Sequence, residues 1–217
     1  MCSRLSFVTT SEKIWKDIGI QSEGLLRTSY NIAPTHHTYI IKNSTPDRLD
    51  YVTWGIIPQT AQIIKNEGKL ALARAETLLT STSFRIPARQ KRCIVVVDSF
   101  YDLQEHFGPS QSTAKRYFSK NGELLTLAGV WDSCNIDGYN HLSFSIITQQ
   151  SEYFPNTRLP LIIHESELRK QWLSNLQINE IEDILLTDHS NMLDSYNVNA
   201  AELLAFNDSF QMHLRID

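Results

Sequence analysis

The stretch RCIVVVDSFYDL (residues 92–103) decides how this chain is read. Ile94, Val95, Val96 and Val97 are consecutive β-branched residues, which suit a pleated, buried surface better than a helix. The run therefore reads as a strand. Working outward, RYFSK (116–120), LLTLAGVW (124–131), HLSFSIIT (141–148) and LPLIIH (159–164) share this β-prone character, with Gly or Asn turn signals between several of them. Upstream, residues 38–41 follow Pro34 as a strand and DRLDYVTWGII (47–57) returns as its hairpin partner. Such spacing predicts a curved or barrel-like β core. Three segments read as helices. SEKIWKDIGI (11–20) places Ile14, Trp15 and Ile18 at helical spacing behind Ser11 as N-cap, and ESELRKQWLSN (165–175) and INEIEDILLTD (178–188) follow later. No Gly-, Ser- or Pro-rich linker divides the chain and no repeat is visible. The fold class expected is α+β: one domain over residues 1–217, with a mainly antiparallel, barrel-like core flanked by helices.

The 217 residues carry a formal charge of −4, with 41% hydrophobic and 20% charged residues, an ordinary globular balance. A wholly basic nucleic-acid binder is excluded, so any DNA contact must come from a local cluster of Arg and Lys. Cys2, Cys93 and Cys134 form no CxxC pair, which fits a reducing compartment. The opening MCSRLSF has no basic-then-apolar leader pattern, and no apolar run is long enough to span a membrane. A soluble cytoplasmic protein is expected, nucleoid-associated in a bacterium.

Dinucleotide, P-loop, zinc-protease and serine-hydrolase signatures are missing. His36 and His37 would point to opposite faces of a strand and make poor partners for one metal, so neither metal nor cofactor is expected. Cys2 stands out. Its small side chain permits removal of Met1, after which a thiol and an α-amine, both partly nucleophilic near neutral pH, sit on adjacent carbons. That pair can close onto an aldehyde as a thiazolidine. Alternatively, Cys2 is merely the residue after the start codon. In LARAETLLTSTSFRIPARQKRC (72–93), Arg74, Arg85, Arg89, Lys91 and Arg92 concentrate positive charge, forming either a phosphate-binding surface or a solvated face. Asp98 and Asp102 end an apolar strand, where a carboxylate serves acid–base chemistry or caps a turn. Arg158, before a Leu-Pro step, is structural or functional.

Taken in order, MCSR (1–4), YNIAP (30–34), WGIIP (54–58), ARAET (73–77), the RC…VDSFYD stretch (92–102), AGVW (128–131), SIIT (145–148) and TRLPLII (157–163) resemble the SOS-response-associated peptidase (SRAP) family of abasic-site processing proteins. The resemblance covers residues 1–175, with a weaker echo in YNVNAAEL (196–203). It implies binding of single-stranded DNA at abasic sites and covalent linkage to them through Cys2. It further implies that Arg4, Arg74 and Arg158 contact phosphate. Trp54, of the family's WG motif, either packs on DNA or fills the core. Three positions depart from the family pattern. Leu72 replaces an asparagine, Asp102 a glutamate, and Asn156 a histidine able to exchange protons. His164 lies six residues beyond Arg158. The leading expectation is therefore covalent capture of abasic sites, with associated lyase and self-processing peptidase activity. The alternative is a single-stranded-DNA-binding relative with weak or lost catalysis.

Overall fold

The computed structural model describes residues 2–22, 24–59, 70–104, 113–205 and 207–216. In chain order the strands are β1 (Cys2–Phe7), β2 (Ser29–Ile32), β3 (His37–Lys42), β4 (Thr45–Trp54), β5 (Leu72–Arg74), β6 (Arg92–Val97), β7 (Ser99–Gln104), β8 (Thr113–Ser119), β9 (Leu125–Ile136), β10 (Tyr139–Gln150), β11 (Arg158–Pro160) and β12 (Leu193–Asn199). The helices are α1 (Ser11–Ile18), α2 (Arg85–Gln90), α3 (Ser166–Leu173), α4 (Ile178–Leu185) and α5 (Ala200–Leu204).

Strands β10, β4, β3, β6 and β9 pair successively, and β9 pairs back to β10, closing a five-stranded barrel. The β4–β10 pairing is parallel and the others antiparallel. A second, fully antiparallel sheet runs β12-β8-β7-β1-β2. The architecture is α+β with a barrel-like core flanked by helices, as the alternation of strand and turn signals predicts.

The stretch 92–103 is two strands rather than one, and the break explains how the two sheets join. β6 belongs to the barrel and every residue of it is buried, whereas β7 belongs to the second sheet. Between them Asp98 accepts the Val8 backbone N–H at 2.6 Å and the hydroxyls of Ser6 and Ser99 at 3.1 and 2.8 Å. A carboxylate can satisfy several donors at once, so it fixes the point where the chain leaves one sheet for the other. Asp98 is thus a turn-capping residue.

Gly129 on β9 shows how closely the barrel strands approach. A Cβ there would lie 2.8 Å from the Ser145 carbonyl oxygen and 2.9 Å from Cys93 Sγ. Helix α1 begins one residue earlier than expected: Thr10, not Ser11, accepts the Lys13 N–H, and Gly19 ends the helix at φ +81°. Among the described residues no helix is long and apolar enough to cross a membrane.

Candidate active site at the head of the first strand

β1 opens with Cys2, which stands in register with Asp102 on β7. The register shifts between Cys2 and Arg4, an irregularity that re-aims side chains along a strand. Cys2 thereby joins Leu5 and Phe7 in the main core and is only 1% exposed, its thiol 3.9 Å from the Arg4 carbonyl. Directly opposed residues have Cα atoms about 5 Å apart, so the thiol and the carboxylate share one small volume. Burial first, and then the negative charge of Asp102, push the thiol pKa far above its ordinary range. Cys2 is therefore a neutral thiol at rest near pH 7, and reaction requires a base to take its proton. Asp102, itself buried, is the carboxylate in register with it.

A third titratable group belongs to this cluster and escapes a reading of the sequence. Tyr117 lies on β8 in register with Phe100, two residues before Asp102 on the same face of β7, and stacks on Phe100 with ring centroids 5.0 Å apart. Phe154 meets it edge-on at 5.3 Å. The phenol is fully buried and approaches Thr157 without meeting hydrogen-bond geometry. Burial, and then the Asp102 carboxylate, push its pKa up to about 12.

The segment leading into β11 carries Asn156. Its backbone is left-handed, at φ +60°, a conformation that Asn adopts more readily than most residues. The Thr157 N–H donates to the Phe154 carbonyl and the Ser151 N–H to that of Thr157, closing the turn. The Asn156 side chain is exposed. The His164 ring faces Glu123 at 3.5 Å instead.

The arginines fall into distinct environments. Arg74 on β5 is in register with Thr148 on β10, and Arg158 on β11 with Gln150, so the two flank the C-terminal end of β10. Arg74 is exposed. Arg158 donates through Nε to Thr148 Oγ1 at 3.1 Å, to the Thr148 carbonyl at 2.8 Å, and through both terminal nitrogens to the carboxylate of Glu76. This fork, helped by the charge of Arg74, holds the Glu76 carboxyl below the usual range. Arg4 is half-buried on β1 in register with Tyr101. β1 also packs against β11, the strand that Arg158 opens, where the second sheet abuts the barrel.

Trp54 is fully buried and donates its indole N–H to the Ala71 carbonyl at 2.9 Å. The basic stretch 72–93 is not one phosphate-binding surface. Arg92 is buried and donates to the carbonyls of Ala88, Arg89, Trp172 and Ser174, which tie α2 and α3 to β6. Lys91 pairs with Asp132 at 2.5 Å. Carbonyls at helix ends lack intrahelical donors, and a guanidinium supplies five.

These features define a β-barrel protein with a cysteine–carboxylate pair at the head of its first strand and two arginines flanking the C-terminal end of β10. The chain belongs to the SOS response associated peptidase (SRAP) family, whose profile matches residues 1–201. It is 31% identical over 210 residues to the abasic site processing protein YobE of Bacillus subtilis, covering 92% of this chain and 95% of that protein. It is 26% identical over 191 residues to the abasic site processing protein HMCES of Gallus gallus, covering 72% of this chain and 56% of that one. A crystal structure of a protein from Bacteroides thetaiotaomicron shares the fold, with a TM-score of 0.86 at 24% identity and full coverage of both chains.

Proposed function

We propose that this protein captures the open-chain aldehyde of abasic sites in single-stranded DNA through Cys2, after removal of Met1, as part of a DNA-damage response. The observation that carries this reading is the placement of a buried, neutral Cys2 thiol in register with the Asp102 carboxylate. The free α-amine attacks the aldehyde carbon, and loss of water leaves an imine. Asp102 then takes the thiol proton as sulfur attacks the imine carbon, and the ring nitrogen is protonated as the thiazolidine closes. Aldehyde plus aminothiol gives thiazolidine plus water. Arg4, Arg74 and Arg158 contact the flanking phosphates. Lyase cleavage at the same aldehyde and self-release of Met1 by attack of Cys2 on its own peptide bond belong to the same proposal.

The test is incubation of Met1-processed protein with a single-stranded abasic oligonucleotide. A denaturation-resistant adduct that Cys2→Ala lacks supports the reading. No adduct over hours sinks it.

A second reading is a single-stranded-DNA-binding relative with little catalysis. Two observations favour it: Asn156 presents an exposed amide where the family pattern has an acid–base group, and Leu72 presents an apolar side chain where that pattern has an amide. Salt-sensitive binding of intact single strands without adduct formation selects it.

A further inference from the structure

Asp102 stands between two buried acids. Cys2 lies across from it on β1 and Tyr117 diagonally from it on β8, and its charge raises the pKa of both. Diagonal neighbours across an antiparallel pair lie about 7–8 Å apart at the backbone, within reach of a tyrosine. Among the described residues the enclosed phenol oxygen meets hydrogen-bond geometry with no partner, an arrangement that costs free energy. The ring is packed by Phe100, stacked on its face, and by Phe154, edge-on, which restricts where the hydroxyl can lie.

We propose that Tyr117 is a positioning residue that acts through Asp102: its hydroxyl donates to the Asp102 carboxylate as the site engages substrate, holding that base charged and aimed at the Cys2 thiol. The inference rests on the reading of Cys2 and Asp102 given above. With its pKa pushed up to about 12, the phenol stays protonated across neutral pH and remains a donor throughout the working range. Catalytic hydrogen bonds are often long in the free enzyme and shorten on binding, so a phenol unbonded in the free protein is compatible with a contact made in the complex. Other polar groups bear on the same spot. Lys115 stands opposite Asp102 on β8, Ser195 on β12 is in register with Tyr117, and Thr157 approaches from the turn before β11. Of these Lys115 is the cationic side chain, and the α-amine of Cys2 freed by removal of Met1 is a further titratable group in register with Asp102. Tyr117 gives the chain a proton-linked group beside Asp102 at a site where Asn156 cannot exchange a proton.

Removing a donor from a carboxylate makes that carboxylate easier to protonate, and a protonated Asp102 is idle as a base. The experiment measures single-turnover adduct formation on an abasic single strand against pH, using wild type, Tyr117→Phe, Asp102→Asn and the double variant. Phe keeps the ring against Phe100 and Phe154, and thermal unfolding checks that the fold is retained. For Tyr117→Phe the acid limb of the profile is expected to move up by about one pH unit, making the reaction about tenfold slower on that limb with a smaller loss near pH 8. Adding Tyr117→Phe to Asp102→Asn is expected to cost nothing further. Parallel profiles, or additive losses in the double variant, overturn the proposal while leaving Cys2 capture intact. Absence of a wild-type adduct at every pH overturns the capture reading and this inference with it.

Discussion

Glu76 and Arg158 face each other as a fork, both carboxylate oxygens against both terminal nitrogens, while Thr148 takes Nε and shares one of those nitrogens. The arginine is thereby held in place, and the charge of Arg74 also acts on the same carboxylate. Glu76 orients the guanidinium, and it also places a negative charge beside two arginines that the proposed function assigns to phosphate.

Replacing Glu76 by Gln keeps the shape and removes that charge. Single-stranded DNA binding, followed by fluorescence anisotropy at several salt concentrations, is expected to tighten severalfold and to steepen by about 0.7 in the log–log salt slope, the share of one phosphate contact on a single strand. Arg158→Ala is expected to weaken binding and flatten the slope. Weaker binding in Glu76→Gln would show that fixing the guanidinium matters more than the charge it faces.

Asn156 sits in a left-handed turn that histidine also tolerates better than most residues do. Asn156→His should therefore fold, and it puts a group that titrates near neutral pH beside the site. Adduct formation in single turnover is expected to rise by about tenfold or more, toward the usual range of general acid–base assistance. An unchanged rate would mean that the turn aims this side chain away from Asp102.

His213 links the C-terminal segment to the second sheet: its Nε2 lies 3.1 Å from Ser6 Oγ, and its carbonyl accepts from Tyr196. Burial, and then the nearby Arg116, lower the ring to about 4, against the pull of Asp98 in the other direction. The unfolded chain protonates this histidine near pH 6.5. A depressed histidine contributes fully above that value, and its contribution falls as pH drops from about 6.5 to about 4, by on the order of 3 kcal/mol in all. Thermal unfolding across this window should show a steeper loss for wild type than for His213→Gln. Equal slopes would mean that the ring is solvated.

Arg92→Met removes donors from four carbonyls and keeps most of the stem. A loss of about 3 kcal/mol or more in denaturant unfolding is expected, because buried acceptors lose a charged donor. The salt slope of DNA binding should not move. A lower slope would return Arg92 to the phosphate surface.

What could be read from the sequence follows how local each cause is. β6, β9 and β10 announce themselves through apolar runs that a closed barrel buries, and α1, α3 and α4 through helical spacing. β1, β2 and β12 go unread because segments such as SYNI and LDSYNVN are short and largely polar, and become strands only by pairing with distant partners. Cys2 and Asp102 were legible as reactive types, but their register was not. Tyr117 was invisible as a candidate because Asp102, Phe154 and Thr157 reach it only through the fold. Arg92 and Arg74 are the same residue type in one basic stretch, and only the helix-end carbonyls around the first separate their roles.

Cys2 is the first residue of a strand hydrogen-bonded to β7 on one side and, further along, to β2 on the other. Tension applied to anything attached at that sulfur runs along β1 and loads its hydrogen bonds together, in shear, rather than peeling them apart singly. Cys2 is thus held as a mechanical anchor, and pulling it free means dragging β1 out from between its neighbours.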